Sequence, residues 1–418
     1  MTGALTGIQV LDLSRILAGP WATQLLGDFG ATIIKVEKPG EGDDTRRWGP
    51  PFVGGVGAEE DGTAAYFLAA NRNKRSIAVD FTTAEGRALL IDLAARSDVV
   101  VENYKVGGLA KYGLDYPSLR TVNPRLIYCS ISGFGQDGPY AHRLGYDFLV
   151  QGMSGLMSVT GTAEGGPQKA GVALADIITG LYAGNAILAA LHHREKTGEG
   201  QHIDVALLDC MVAAMANQAL NHLASGRDPQ PLGNGHPSIV PYDTFPTGDG
   251  HINLAVGNDG QFARLCAVLA VPELSTDPRF ATNSQRVAHR AALTDRLTAR
   301  LTTAPSAHWL ARLETAAVPA GPINTLSQVF ADPQVKHRRL ALTLPDPVLG
   351  SAPGVACPVK LSGTPIMDGR APPALGADTA TVLRDVLGLD QARLAALAAA
   401  GVIGAPSGYS AGDGARNT

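Results

Sequence analysis

Apolar residues in the first third of the chain fall in short dense runs separated by polar or glycine-rich stretches. IQVLDL (Ile8–Leu13), ATIIKVE (Ala31–Glu37), Ser76–Asp80, DVVVE (Asp98–Glu102) and RLIYCS (Arg125–Ser130) read as short buried strands. Between the first two the spacing turns helical. Gly19-Pro20 opens a helix that runs to about Phe29, with proline in the first turn, where its missing N–H costs nothing. Another helix covers Thr82–Ser97. Strands alternating with helices predict an α/β domain with a largely parallel sheet. No GxGxxG follows the first strand, so an ordinary dinucleotide site is not supported.

The apolar pattern then lengthens into two helices, about Ala173–Lys196 and Asp204–Ala224. The first ends in Lys196-Thr197-Gly198, a basic last turn followed by a glycine stop. After Gly226, proline and glycine become frequent. PYDTFPTGDGHINLAVG reads as a hairpin around Gly248–Gly250. Short helices follow from Asp259 to about Glu314, and VPAGPIN reads as a linker. From Leu326 the chain is loop-rich until two Ala/Leu-rich helices near 377–400, and the last residues read as a disordered tail.

Composition narrows the function classes. The 418 residues are 45% hydrophobic and 17% charged, as in a soluble globular protein. A net charge of −4 without a basic block argues against nucleic acid. The N-terminus lacks the charged-then-apolar pattern of a signal peptide, and no uninterrupted apolar run reaches about 18 residues, so no membrane span is expected. Four scattered cysteines without CxxC argue against a zinc site and a disulfide framework, and they suit a cytoplasmic location.

Candidate chemistry centres on GVALADIITG, where Asp176 stands alone among apolar and small residues. It is either an exposed acid favoured by the helix dipole, or a nucleophilic or basic carboxylate whose helix N-terminus offers N–H groups to an oxyanion. Gly257–Gln261 (GNDGQ) is a capping turn or a mobile lid. His236 is a loop histidine or a base, and His192 and His193 read as solvated. No HxxxH suggests a metal and no GxSxG a serine hydrolase. Lys35, Lys38, Arg46, Arg47, Lys74, Arg75, Lys105 and Lys111 cluster early, many just beyond strand ends. Positive charge at the carboxyl edge of a parallel sheet suits a polyphosphate ligand without a P-loop.

LTGIQVLDLSRILAGPWATQLLGDFGATIIKVEKPGEGDDTR resembles the opening of the class III CoA-transferases, which include formyl-CoA and carnitine CoA-transferases. NRNKRSIAVDF, VVVENYKVGGLAKYGLDY, NPRLIYCSISGFGQDGPY, GYDFLVQGMSGLMSVTG, ALADIITG, HHREKTGEGQHIDVAL, GNGHPSIVPY and PAGPINTLSQVFADPQV match in order, across about Leu5–Pro365. The resemblance implies an α/β fold with a Rossmann-like large domain built from both chain ends, a small α+β domain, and a homodimer of interlocked rings. The expected division is 1–200 large domain, 201–228 linker, 229–315 small domain, 316–330 linker, 331–403 return to the large domain, and a tail at 404–418.

By the same resemblance Asp176 is the catalytic aspartate and coenzyme A the ligand, with no metal. Leu17 and Ala18 would lie by the CoA, with Lys38, in place of a family arginine, near its phosphates. Val79, Asp80, Phe81 and Thr82 would flank the adenosine. Asn103, Tyr104 and Lys105 would line the pantetheine path. Lys111 stands where an arginine is common, and Tyr146 and Asp147 sit beside the thioester. Leu144 replaces a lysine of formyl-CoA transferase, which speaks against formyl-CoA. The α-methylacyl-CoA racemases of this fold place a histidine at the Tyr146 position, and a phenol of ordinary pKa about 10 is a poor base at pH 7. The implied activity is CoA transfer from succinyl-CoA or another short acyl-CoA to a carboxylic acid, the alternatives being racemisation and CoA binding without turnover. Gly257, Asn258, Asp259, Gly260 and Gln261 would form the lid. His236 or Arg47 would pair with a second substrate carboxylate.

Overall fold

The computed structural model describes residues 3–54, 62–347, 350–367 and 369–404. The expected tail lies, beyond Gly404, outside these residues. The chain divides into two compact units: Met1–Gly155 with Gly171–Leu220 and Gln334–Thr418, and Leu156–Ala170 with Asn221–Pro333. The stretch Leu156–Ala170, expected within an unbroken large domain, thus groups with the second unit.

The first unit is built on six parallel strands: β1 (Gln9–Asp12), β2 (Thr32–Glu37), β3 (Lys74–Ala78), β4 (Val99–Glu102), β5 (Ile127–Ser132) and β6 (His202–Ala206). Their spatial order is β3-β2-β1-β4-β5-β6, the doubly wound order of dinucleotide-binding sheets, reached here without the glycine motif. The direction of winding reverses between β1 and β4. Loops leaving those two strands diverge and leave a crevice between them.

Helices α1 (Ala18–Asp28), α2 (Ala84–Ala95), α3 (Asp147–Met153) and α4 (Leu174–Thr197) follow the strands. α2 starts at Thr83, whose hydroxyl accepts the Gly86 N–H. One correction concerns Asp204, expected to open a helix. It lies in β6, opposite Ser130, because HIDVA pairs in parallel with β5 before any helical turn forms. The helical run starts at α5 (Leu207–Ala214) and breaks at Ala216, whose φ of 42° is left-handed, before α6 (Ala216–Ser225).

The chain returns through α7 (Thr379–Leu387) and α8 (Gln391–Ala399) to cover the outer edge of β3. Asp378 accepts the Ser76 N–H, Thr379 Oγ1 accepts the Ala78 N–H, and the Asp80 N–H donates to the Val402 carbonyl. That occupies the row of groups an edge strand would leave open. Leu11, Ile34, Ile77 and Val100 of the sheet pack with Leu90 and Leu93 of α2 and with Val382, Leu383 and Leu394.

α4 has 24 residues and contains an 18-residue window of mean hydropathy 1.5, enough by length and composition to cross a membrane. In the fold its face of Ala175, Thr179, Gly180, Ala183 and Ile187 is buried. It packs against α1, β5 and β6.

The second unit holds an antiparallel sheet of Tyr242–Pro246, His251–Ala255 and Ala320–Pro322. VPAGPIN is therefore not only a linker: its Ala320–Pro322 is the third strand, with Pro322 opposite Ile252. Proline is tolerated there because the strand is at the sheet's edge. Phe245, Ile252, Phe262, Leu293, Leu297 and Trp309 form this unit's core.

Beneath the carboxyl ends of β1–β3 lies a chain of buried charges. Lys74 Nζ donates to Asp12 Oδ2 (3.1 Å), Asn71 Oδ1 and the Pro20 carbonyl. Lys35 Nζ donates to Asp43 Oδ2 (2.9 Å) and the Ser14 carbonyl (2.9 Å). Arg46 makes a two-pronged pair with Glu37. Burial alone would raise the Asp12 carboxyl, but Lys74 and Lys35 outweigh it and hold the pKa below its ordinary value. Lys74→Met leaves Asp12 buried and unpaired. The variant should lose about 3–5 kcal/mol in urea unfolding, and D12N/K74M should recover part of it. Losses that simply add would show that the two groups do not depend on each other.

Candidate active site

The loops at the carboxyl ends of β1, β4 and β5 enclose a cavity of about 650 Å³ at the winding reversal. Arg15, Ile16, Leu17 and Ala18 enter it from β1, and Asn103, Tyr104, Lys105 and Lys111 from β4. The two segments are tied together by Asn103, which donates to the Arg15 carbonyl (2.7 Å) and accepts the Arg15 N–H (2.8 Å). Phe81 and Thr82 add to the lining beyond β3. Phe81 meets Tyr104 and Tyr112 edge-on, at 5.8 and 5.2 Å between ring centroids. The Arg15 guanidinium lies over Tyr104 and the Lys111 ammonium over Tyr112. This wall is aromatic and cationic, as a nucleotide with phosphates requires.

Tyr146, Asp147 and Asp176 line the same cavity. Asp176 is in the first turn of α4, whose N-cap Ala173 has no capping side chain. Asp147 supplies the cap from α3: its Oδ1 accepts the Ala175 N–H (2.8 Å), while Gln151 Nε2 holds Oδ2 (2.8 Å). The Leu174 and Ile177 N–H groups donate to the Val172 and Ala173 carbonyls. Among the described residues, that leaves the Asp176 N–H as the first-turn donor free for an oxyanion. Gly180, one turn later, lets α4 sit against α1. A Cβ there would lie 2.7 Å from the Ala18 carbonyl oxygen. The glycine of ADIITG thus places Asp176 beside the Leu17-Ala18 turn.

Burial, and then the negative charge of Asp147, push the Asp176 carboxyl up to about 7. Near neutral pH it is therefore shared between a neutral acid and a carboxylate anion. Tyr66 is raised as well, by burial first and then by Asp176 and Asp147, which places it within electrostatic reach of the acid pair.

A pinched loop completes the cavity. Gly133 and Gly145 touch at its neck, where a Cβ on Gly133 would be 2.5 Å from Gly145 Cα. The Gln136 N–H donates to Asp204 in β6. Arg143 and Leu144 from this loop line the cavity.

Eleven of the expected residues meet in this one cavity: Leu17, Ala18, Phe81, Thr82, Asn103, Tyr104, Lys105, Lys111, Tyr146, Asp147 and Asp176. Lys38, Val79 and Asp80 do not line it. Lys38 pairs with Glu41 at the surface, Val79 is buried with its N–H on Glu37, and Asp80 accepts the Thr82 N–H and hydroxyl. The early cation cluster also separates. Lys35, Lys74 and Arg46 are neutralised inside the fold, Arg75 faces Asp378 and Asp385, and Arg47 faces Asp44.

His236 and Gly257–Gln261 belong to the second unit. His236 Nδ1 accepts the Ser238 N–H. Asn258 caps the helix Asp259–Val268, the Gly257 N–H donates to Gln261, and Asp259 pairs with buried Arg286. Sequence reasoning missed Arg15, Arg143 and Tyr66. Arg15 carried a usable signal, its place just after a strand, whereas Arg143 is brought in by a loop and Tyr66 stands on a short helix, Ala65–Leu68. Among the described residues no group of three His, Cys, Asp or Glu side chains is arranged to hold a metal ion.

The model of CoA-transferase family III matches residues 5–379. The chain is 54% identical to the succinate–glutarate CoA-transferase of Agrobacterium fabrum, over 91% of this chain and 95% of that protein. It is 44% identical to the human succinyl-CoA:glutarate CoA-transferase, over 96% and 90%. A crystal structure of a CAIB/BAIF family protein from Brucella suis superposes with a TM-score of 0.82 at 52% identity, covering 92% of this chain and all of that one. With a family model spanning most of its length and relatives this similar, the chain belongs to CoA-transferase family III.

Proposed function

We propose that this enzyme moves CoA from succinyl-CoA, or another short acyl-CoA, to a carboxylic acid, with Asp176 as the nucleophile. The observation that carries the reading is a carboxylate held near neutrality in a cavity whose other wall is aromatic and cationic. The names of the relatives supply the acyl donor and the class of acceptor.

The Asp176 carboxylate attacks the thioester carbonyl. A C–O bond forms, the C–S bond breaks, and CoA leaves as thiolate. The thiolate then attacks the aspartyl carbonyl of the mixed anhydride, which releases the first acid and leaves an aspartyl thioester. The acceptor carboxylate attacks that thioester, giving a second anhydride and thiolate. The thiolate takes the new acyl group, and Asp176 returns as carboxylate. Both nucleophiles are anions, so no strong base is needed. The remaining Asp176 N–H serves the oxyanion, and the apolar side chains around α4 limit water.

Arg15, Lys105 and Lys111 face the CoA phosphates, and Leu17, Ala18, Phe81, Thr82, Asn103 and Tyr104 face its adenosine and pantetheine. Lys38 and Asp80 are outer contacts to the nucleotide, and Val79, which is buried, supports the strand ends that carry them. A homodimer, with the interlocked rings the family resemblance implies, belongs to the same reading. Leu181, Tyr182, Val212 and Leu220 are exposed apolar side chains on α4–α6, which burial against a second copy would account for. A cytoplasmic location completes it.

Asp176→Ala should lower kcat on the order of 10⁴-fold in succinyl-CoA:acid exchange. Exchange near the parent rate would overturn the mechanism. Hydroxylamine trapping should place the adduct on the peptide 171–180.

The kcat/KM profile should have an acid limb near pH 7, where Asp176 ionises. Asp147→Asn should move that limb to lower pH by removing the neighbouring charge. An unmoved limb would assign it to another group.

Stability follows with a definite sign. The folded pKa of about 7 exceeds the ordinary 3.8, so ionising Asp176 costs stability as pH rises through that window. Asp176→Asn should therefore raise Tm at about pH 8 and not at about pH 4. An equal change at both pH values would exclude a raised pKa.

A further inference from the structure

Four cations line the cavity, and three of them share a wall. Arg15, Lys105 and Lys111 stand on the segments after β1 and β4 that Asn103 ties together. Arg143 arrives separately, on the pinched loop between Gly133 and Gly145. This loop runs directly through Tyr146 into Asp147, the residue that caps the first turn of α4 and raises the Asp176 carboxyl. Arg143 is thus attached to the nucleophile's end of the site.

Its side chain is also poised. The guanidinium carbon lies 3.8 Å from the centroid of the Tyr140 ring, and Phe134 holds that ring edge-on at 5.7 Å. Stacking fixes the plane of the fork and leaves its N–H edge available. Among the described residues no carboxylate pairs with Arg143, whereas Arg15 pairs with Asp44, and Arg47, expected from sequence to take a second carboxylate, is turned toward the same Asp44. The loop itself is anchored by Gly135 on Ser132 and Gln136 on Asp204.

We infer that Arg143 is a specificity residue that pairs with the distal carboxylate of a dicarboxylic acid, or of its acyl-CoA, at Asp176. The inference rests on the CoA-transfer reading above and names the group that reads the acid. A planar, always charged fork matches a carboxylate with two parallel hydrogen bonds, and a monocarboxylic acid of equal length leaves it unpaired.

The test holds succinyl-CoA saturating and compares glutarate with pentanoate as acceptors, which differ at the distal end alone. In Arg143→Gln the ratio of kcat/KM for glutarate to that for pentanoate should fall about thirtyfold, chiefly through KM for glutarate. Arg143→Lys should keep part of the ratio, since charge survives and the fork does not. Calorimetry with free CoA and dephospho-CoA separates the other anion in the site. If Arg143→Gln weakens CoA about tenfold and the ratio of the two acids is unchanged, Arg143 serves a phosphate and the assignment is overturned. If the parent protein transfers CoA but does not prefer glutarate, the assignment alone falls. If the parent transfers CoA to neither acid, the transferase reading falls and this inference with it.

Discussion

Asp12, Lys74, Lys35 and Asp43 are buried together, and the Arg15–Ala18 wall of the cavity depends on their mutual neutralisation. Asp12 also accepts from Ser14 and Thr23, and Lys35 and Lys74 hold the Ser14 and Pro20 carbonyls. The turn from β1 into α1 is thereby fixed from below by charged groups, which tolerate little displacement in a medium that cannot solvate them. Leu17 and Ala18 can then offer backbone to the cavity without glycine-rich phosphate chemistry. Because the buried charges cancel, positive charge facing the cavity comes from Arg15, Lys105, Lys111 and Arg143, which stand outside that network.

The second constraint is a contest at the start of α4. A helix N-terminus favours a nearby carboxylate by about 0.3–1 kcal/mol, less than one pKa unit. Burial and the neighbouring Asp147 carry Asp176 from 3.8 to about 7 and win by a wide margin. Asp147 has two opposed effects: it caps the helix by taking the Ala175 N–H, and its charge disfavours ionisation of Asp176. A carboxylate made less stable in the free site is a more basic and more reactive nucleophile once ionised.

Much of the first unit was legible along the chain. Alternating apolar runs and helical stretches specify a parallel α/β sheet, since strands buried on both faces lose their alternation. The lone acid of ADIITG was visible as a candidate for the same reason: a charge among apolar neighbours is costly unless used. The Asp204 strand and the strand inside VPAGPIN were not legible. Each is short and gains its pairing from a distant segment, β5 in one case and His251–Ala255 in the other. Local propensity contains no term for a partner that arrives from elsewhere in the chain.

By itself, the sequence determined which residue types are present and which periods they follow, and so the class of sheet and the identity of the isolated acid. Tertiary structure decided which charges remain available. Lys35, Lys74 and Lys105 look alike along the chain, yet two are spent on buried carboxylates and the third lines the cavity. It also decided that Asp147 caps the turn of Asp176, and that Arg143 reaches the same cavity on a loop closed by two touching glycines. The reason is physical: burial, charge pairing and close approach are properties of neighbours in space, and spacing along a chain does not encode them.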